Sequence, residues 1–179
     1  MSKPDDTNLV QRSRTGDRQA FEALLIRYEK PVYNAAYRML NNADDARDVT
    51  QTVFLKAYEH LDDFNPKFRF FSWVYRIALN ESVNCLNKRP RGEELARESE
   101  TETGGPEDAM EQELRSRQIQ SALMKIQPDY RGVIVLKHFL DFSYAEMANI
   151  LDIPEKKVKS RLYTGRQLLK EALQHRRHT

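Results

Sequence analysis

In several stretches of this 179-residue chain the apolar residues recur three and four positions apart. No stretch of useful length alternates with the two-residue period of a strand, so the predicted fold class is all-α. The clearest instance runs from Asp44, where Ala46, Val49, Val53, Ala57 and Leu61 mark one buried face of a helix. Asp45, Asp48, Gln51, Thr52 and Leu55 fall on its other faces. A second helical pattern follows, with Ile77, Leu79, Val83 and Leu86 as its apolar surface.

These two segments carry opposite charge. Asp44 to Asp63 holds six acids against Arg47 and Lys56, and Phe64 to Arg91 holds six bases against Glu81 alone. An acidic helix followed at once by a basic one suggests a basic protein surface as one partner and a nucleic acid as the other. The alternative for the acidic face is that it is merely solvated. Between the two, Phe64, Phe68, Phe70, Phe71, Trp73 and Tyr75 crowd into twelve residues, with Lys67 and Arg69 interleaved and Pro66 breaking any helix. Rings that stack on unpaired bases, beside cations that track phosphates, make a single-strand platform. The competing reading places Phe71, Trp73 and Tyr75 in the core, Trp73 above all. Arg76, Asn80, Asn84 and Lys88 lie four apart and form a polar stripe suited to base edges and phosphates.

Upstream, Asp6 or Thr7 is predicted to cap a helix through Arg14 that Gly16 and Asp17 end. Residues 20–28 and 31–40 read as two further amphipathic helices, and Asn41 with Asn42 breaks the chain before the acidic helix. After Arg91 the composition changes. Gly92 to Glu113 carries nine acids against Arg97, with Gly104, Gly105 and Pro106 in its middle, and is predicted to be a flexible linker. As a coil its ~22 residues span about 25 Å, and fully extended roughly 70 Å.

Helical periodicity then returns, with Leu114, Ile119, Leu123 and Ile126 on one helix and residues 129–139 on another. Ser143 and Glu146 have capping-box spacing, and Asp152, Ile153 and Pro154 turn the chain into a basic helix. Eight Lys or Arg stand against Glu155 and Glu171 from Pro154 to the end. Two short helices around a tight turn, fixed by Met147, Leu151, Ile153, Val158 and Leu162 with small Ala148 at the crossing, read as a helix-turn-helix. The plainer alternative is an ordinary basic helical hairpin.

The segment DARDVTQTVFLKAYEHLDDF followed by FFSWVYRIALNESVN resembles the central domain of the extracytoplasmic-function (ECF) sigma factors of bacterial RNA polymerase. The resemblance implies a sigma-2-type bundle over residues 1–91, an acidic linker over 92–112 and a sigma-4-type helix-turn-helix domain over 113–179. It further implies that the acidic helix docks on core RNA polymerase, at the β′ coiled coil, through Asp45, Asp48, Gln51, Thr52 and Leu55, with β a further contact. Lys67, Phe68, Arg69, Phe70, Phe71, Arg76, Asn80, Asn84 and Lys88 are then expected on the −10 element, with one base flipped from the stack. Glu155, Lys156, Lys159, Ser160 and Tyr163 are expected on −35 base edges, with Arg161 and Arg166 on phosphates. Arg47 and Thr52 stand where the family commonly has acids, and Thr164 where it often has a base. In the family the linker threads toward the RNA path, so it either mimics RNA or simply solvates. An anti-sigma factor, often membrane-bound, is a further partner implied by the resemblance.

No carboxylate pair, triad, Gly-rich phosphate loop or metal cluster rises above chance, so neither catalysis nor a cofactor nor a small-molecule substrate is expected. Cys85 is the only cysteine, which rules out an intramolecular disulfide and points to a reducing compartment. His60, His138, His175 and His178 show no ligand spacing with it, so no metal is expected. With no signal-like start and no long apolar run, the expected location is the cytoplasm. Three other classes stay open on the residues alone: a free-standing helix-turn-helix regulator, an adaptor that does not touch DNA, and a small helical enzyme.

Overall fold

The computed structural model describes residues 5–89 and 107–174, with the side chains of 107–110 left aside. Every regular element among them is helical. The elements are α1 (Asp6–Arg14), α2 (Arg18–Leu40), α3 (Ala43–Glu59), a 3₁₀ turn (Leu61–Asp63), α4 (Phe70–Lys88), α5 (Glu107–Met124), α6 (Pro128–Ile134), α7 (Tyr144–Leu151) and α8 (Glu155–Gln174). Between α6 and α7 the helix widens into a π segment, Val135–Phe139. Helices α1 to α4 form one bundle, and α5 to α8 pack against it. Most of the stretch expected to be a linker lies outside the described residues, but its last six residues, 107–112, belong to α5.

Several helix ends follow from their own residues. Asp17 accepts a hydrogen bond from the Ala20 N–H at 3.2 Å, and Asn42 accepts one from Asp45 at 2.9 Å, which satisfies donors that a helix start leaves free. Between α2 and α3, Asn41 takes the left-handed conformation at φ 50 and closes α2 with an N–H bond to Tyr37. For α1 the cap position is Asp5, not Asp6 or Thr7, and its side chain makes no capping bond.

The two helices expected over 20–28 and 31–40 are one. Proline inside a helix costs a hydrogen bond and a clash worth about 3 kcal/mol. Here α2 runs through Pro31 because Leu24, Val32, Ala35, Ala36 and Met39 bury one continuous face against α1, α3, α4 and α5. The burial of Ala46, Val49, Val53, Ala57 and Leu61 agrees with the expected face of α3. Leu114 differs: it is exposed on α5, whereas Leu123 and Ile126 are buried.

Two arginines tie distant segments together. Arg14 donates to the carbonyls of Leu61 (2.9 Å), Asp62 (3.1 Å) and Phe64 (2.6 Å), fastening the loop after α3 to α1. Arg131, only 4% exposed, donates to Leu123 (2.9 Å), Met124 (3.2 Å) and Ile126 (2.9 Å) at the end of α5, and to Met39 at the end of α2. A cation placed on two helix C-termini meets carbonyls with no helical partner and the negative ends of two helix dipoles.

Aromatic rings fill the centre of the first bundle. Phe70 packs on Phe64, Trp73 and Tyr28 at 5.7, 5.8 and 5.9 Å, and Phe71 stacks on Tyr28 at 4.7 Å. Tyr28 is fixed at its polar end by a hydrogen bond from its hydroxyl to Asp6, which Arg27 also contacts. Burial and then the Asp6 carboxylate push the Tyr28 hydroxyl up to about 12 from its ordinary 10. Tyr75 is fully buried, its hydroxyl has no hydrogen-bond partner, and burial pushes its ionisation far up as well.

Arg131→Met leaves four carbonyls, three of them buried, without this donor and is expected to lower unfolding free energy by about 3 kcal/mol, measured by urea denaturation. Tyr75→Phe removes only the unpartnered hydroxyl and is expected to keep stability or raise it by about 1 kcal/mol; a clear loss would contradict the packing described. Because the Tyr28 ionisation is raised in the fold, its stabilising contribution is complete below pH 10 and is lost as pH climbs toward 12. Alkaline denaturation of Tyr28→Phe should therefore show a shallower decline across that window than the parent chain.

Candidate nucleic-acid interface

The loop from Phe64 to Arg69 divides its aromatics between core and surface. Asn65 accepts from the Lys67 N–H at 3.0 Å and its carbonyl accepts from Phe68 at 3.1 Å, a turn that lifts residues 66–69 off the bundle. Phe68 is 46% exposed, and Lys67 and Arg69 flank it in solvent. Phe70 was expected to face DNA, but at 2% exposure it is a core residue, since Arg69 ends the loop and α4 turns the next ring inward. Phe71 and Trp73 are half-buried, and it is Tyr75, not Trp73, that is sealed completely.

Along α4, Arg76, Asn80, Asn84 and Lys88 are all exposed on one face. Glu81, the single acid of this basic segment, is held by Lys56 at 2.7 Å. Lys56 is one of only two bases in the acidic helix, so this pair cancels the minority charge on both sides and leaves each surface closer to one sign.

The acidic surface of α3 presents Asp48, Gln51 and Leu55, the last 59% exposed, with Tyr58 beside them. Thr52 is half-buried and spends its hydroxyl on the Asp48 carbonyl at 2.9 Å. Asp45 departs from the expected docking set, because it is half-buried and ion-paired with Arg89 across the bundle.

The helix-turn-helix is assembled by its caps. Ser143 accepts from the Glu146 N–H at 3.2 Å while its own N–H donates to the Glu146 carboxylate at 2.9 Å, so α7 starts with the expected capping box. Burial opposes ionisation of Glu146, but the Ser143 donors and Arg69 outweigh it and hold the carboxyl below its usual range. Asp152 occupies the left-handed position at φ 54 and closes α7 with a bond to Ala148. Met147, Val158 and Leu162 are fully buried at the crossing, Leu151 and Ile153 partly so, and Ile150 joins them. Gly165 lets α8 approach α6, since a Cβ there would lie 3.2 Å from the Tyr130 carbonyl.

On α8, Glu155, Lys156, Lys159, Ser160, Tyr163 and Arg166 are exposed, Tyr163 at 68%. Lys159 pairs with Glu155 at 2.8 Å and lies over the Tyr144 ring. Arg161 is half-buried against Asp129 at 3.2 Å. Arg166 donates to the His138 ring at 3.1 Å, which needs a neutral imidazole; burial and the charges of Arg166 and Lys137 lower that ring's proton affinity accordingly. Cys85 is half-buried and burial pushes its thiol up, away from the reactive thiolate.

Two seams join the halves. In one, Gln120 donates to the Tyr37 carbonyl at 3.2 Å and accepts from Arg38 at 3.0 Å, next to the Arg131 bond to Met39. In the other, Phe142 is buried against Phe71 and Tyr75, each at 5.6 Å, while Arg69 pairs with Glu146 at 3.0 Å and Arg76 with Asp152 at 3.4 Å. Beside this second seam opens a cleft of about 600 Å³, lined by Phe64, Phe68, Trp73 and Arg76 on one side and by Asn149, Asp152 and Pro154 on the other. Pairing Arg69 and Arg76 with helix-turn-helix carboxylates was not legible in the sequence, because those partners are 77 and 76 residues away.

Family models match both halves: Sigma-70 region 2 over residues 24–91 and Sigma-70 region 4 over residues 116–169. The chain is similar to the ECF RNA polymerase sigma factor SigW of Bacillus subtilis, with 34% identity over 92% of this chain and 94% of that one. It is similar to the ECF RNA polymerase sigma-E factor of Escherichia coli at 34% identity over 94% of each. Among solved structures it is similar to CnrH in complex with the cytosolic domain of CnrY, with TM-score 0.74, 28% identity and coverage of 95% of this chain and 97% of that one. A second is the sigma factor RpoE with the anti-sigma factor NepR from Bartonella quintana, at TM-score 0.70 and 25% identity over 86% and 96%. With both Sigma-70 regions in order along one all-helical chain, and with these relatives, the protein belongs to the ECF sigma factors, which direct RNA polymerase to promoters at transcription initiation.

Proposed function

We propose that this sigma factor docks on core RNA polymerase through Asp48, Gln51, Thr52 and Leu55 of α3, at the β′ coiled coil, with β as a further contact. The −35 element is met by α8, with Glu155, Lys156, Lys159, Ser160 and Tyr163 toward base edges and Arg161 and Arg166 toward phosphates. The −10 element is met by Lys67, Phe68 and Arg69 of the loop, by Phe71, and by the stripe Arg76, Asn80, Asn84 and Lys88. There an extruded base stacks on an aromatic ring, and cations hold the strand. Phe70 is left out of this set because it is core, and Asp45 out of the docking set because Arg89 holds it.

The observation that carries this reading is the division of one helical pair into an acidic face on α3 and a basic, aromatic face at the start of α4. The chain itself performs no catalysis; it supplies recognition to the polymerase. Since two solved relatives are complexes with CnrY and with the anti-sigma factor NepR, a protein of that class is a natural partner here. Among the described residues no helix is long and apolar enough to cross a membrane.

Run-off transcription with core polymerase and a genomic library tests the function itself, and no transcript above that of core alone would refute it. Arg76→Ala and Asn80→Ala are each expected to abolish promoter opening, read by permanganate footprinting, while polymerase binding in a gel-filtration assay stays unchanged. Equal loss of both would count against the assignment of the α4 stripe to DNA. A pull-down from native cells identifies or excludes the anti-sigma partner.

A further inference from the structure

One oxygen of Glu81, Oε1, accepts two hydrogen bonds. The Lys56 ammonium on α3 donates at 2.7 Å, and the Asn84 side-chain amide, three residues further along α4, donates at 3.3 Å. The Glu81 side chain is only 17% exposed and its ion pair with Lys56 fixes it in place, while Asn84 stands in solvent on the stripe that begins at Arg76. Residues three apart on a helix are neighbours, so Asn84 reaches this carboxylate without leaving its own face. A carboxylate only accepts, so the amide must turn its Nδ2 toward Glu81. Its carbonyl oxygen and its second N–H remain side by side, an acceptor next to a donor.

We infer that Glu81 is a specificity-positioning residue of the −10 surface, which orients the Asn84 amide so that this surface selects adenine at one position. The inference rests on the assignment of Asn84 to the −10 element. On the major-groove edge, adenine alone carries an amine donor, N6, beside a ring acceptor, N7. Guanine shows two acceptors there, thymine one acceptor and a methyl group, and cytosine a donor with no acceptor beside it. That edge of adenine is open both in the duplex and in an unpaired strand. An unrestrained asparagine can rotate its amide by half a turn and offer Nδ2 to thymine O4 or guanine O6 instead. Beside Glu81 the same rotation would bring Oδ1 against the carboxylate, so the amide keeps the adenine pattern.

The contact acts on choice more than on strength. A single exposed hydrogen bond of 3.3 Å adds little to affinity for DNA, but it decides which face of the amide a base meets. This role is separable from the cancelling of charge between Lys56 and Glu81. Glutamine in place of Glu81 loses the charge and keeps an acceptor for Asn84, whereas leucine loses both. If charge alone mattered, the two substitutions would act alike. If Glu81 orients Asn84, only leucine frees the amide.

The test uses core polymerase with the full chain and a library built on one promoter recovered by run-off transcription. Its −10 element is randomised, each template carries a barcode in its transcribed region, and the transcripts are sequenced. The position read by Asn84 is the one whose preference disappears in Asn84→Ala. There the parent is expected to favour adenine about tenfold over the other bases. Glu81→Leu is expected to reduce that preference to about twofold and to leave the other positions unchanged. Transcription from adenine templates should stay within about threefold of the parent, because one exposed hydrogen bond contributes little. Glu81→Gln is expected to keep the preference. Lys56→Met combined with Glu81→Leu removes the ion pair as a unit and leaves no stranded ammonium, so it is expected to match Glu81→Leu even if the single variant folds poorly. A base other than adenine at the Asn84 position would overturn the inference. So would an adenine preference that survives in Glu81→Leu and in the double variant, or an equal loss in Glu81→Gln. If Asn84→Ala changes no position, the assignment of Asn84 to the −10 element fails first, and the inference fails with it.

Discussion

A buried guanidinium holds this structure together. Arg131 reaches the carboxyl ends of α2 and α5 at once, and both ends would otherwise bury carbonyls with no donor. Its position determines where α6 lies, and the crossing of α8 over α6 at Gly165 follows from that. Through Gly165 the direction of the recognition helix depends on where α6 lies. Arg14 has a parallel task in the first bundle, where three carbonyls between Leu61 and Phe64 anchor the loop that carries Phe68. In both cases an arginine is spent on backbone carbonyls.

The surface cations are sorted with some care. Pairing Lys56 with Glu81 removes the minority sign from two neighbouring surfaces. What remains is an acidic face on α3 and a basic one along the loop and α4, on two helices that pack against each other. Opposite fields so close together favour two partners that approach from different sides, which is how a protein can join an enzyme to a nucleic acid. The aromatic cluster beneath supports this division. Phe64, Phe70 and Tyr75 are buried and hold the loop rigid, so that one ring, Phe68, can stand out of it.

The helix-turn-helix half shows how one residue type can meet two demands. Glu146 caps α7 and contacts Arg69, and Asp152 ends α7 and contacts Arg76. The Glu146 carboxylate therefore serves the local cap as well as the cleft, whereas Asp152 ends α7 through its backbone N–H and offers its carboxylate across the cleft. Local and long-range requirements agree, which is a mark of a minimally frustrated design.

By itself the sequence determined the all-α class, the two helical regions, the break at Asn41 and Asn42, the capping box at Ser143, the turn from Asp152 to Pro154 and the polar stripe from Arg76 to Lys88. Each of these is decided by residues within about one turn of one another, through capping, periodicity and turn chemistry. The division of aromatics was not decided there: Phe68 and Phe70 are chemically alike and two apart, and only the start of α4 sends one out and the other in. Nor was the continuity of α2 through Pro31, where a buried face against four helices outweighs a local penalty. Arg131 read as an ordinary helix residue, since its Met39 partner is 92 positions away. Contacts across such separations depend on where whole helices come to lie, and that position is a property of the packed core and not of any local run of residues.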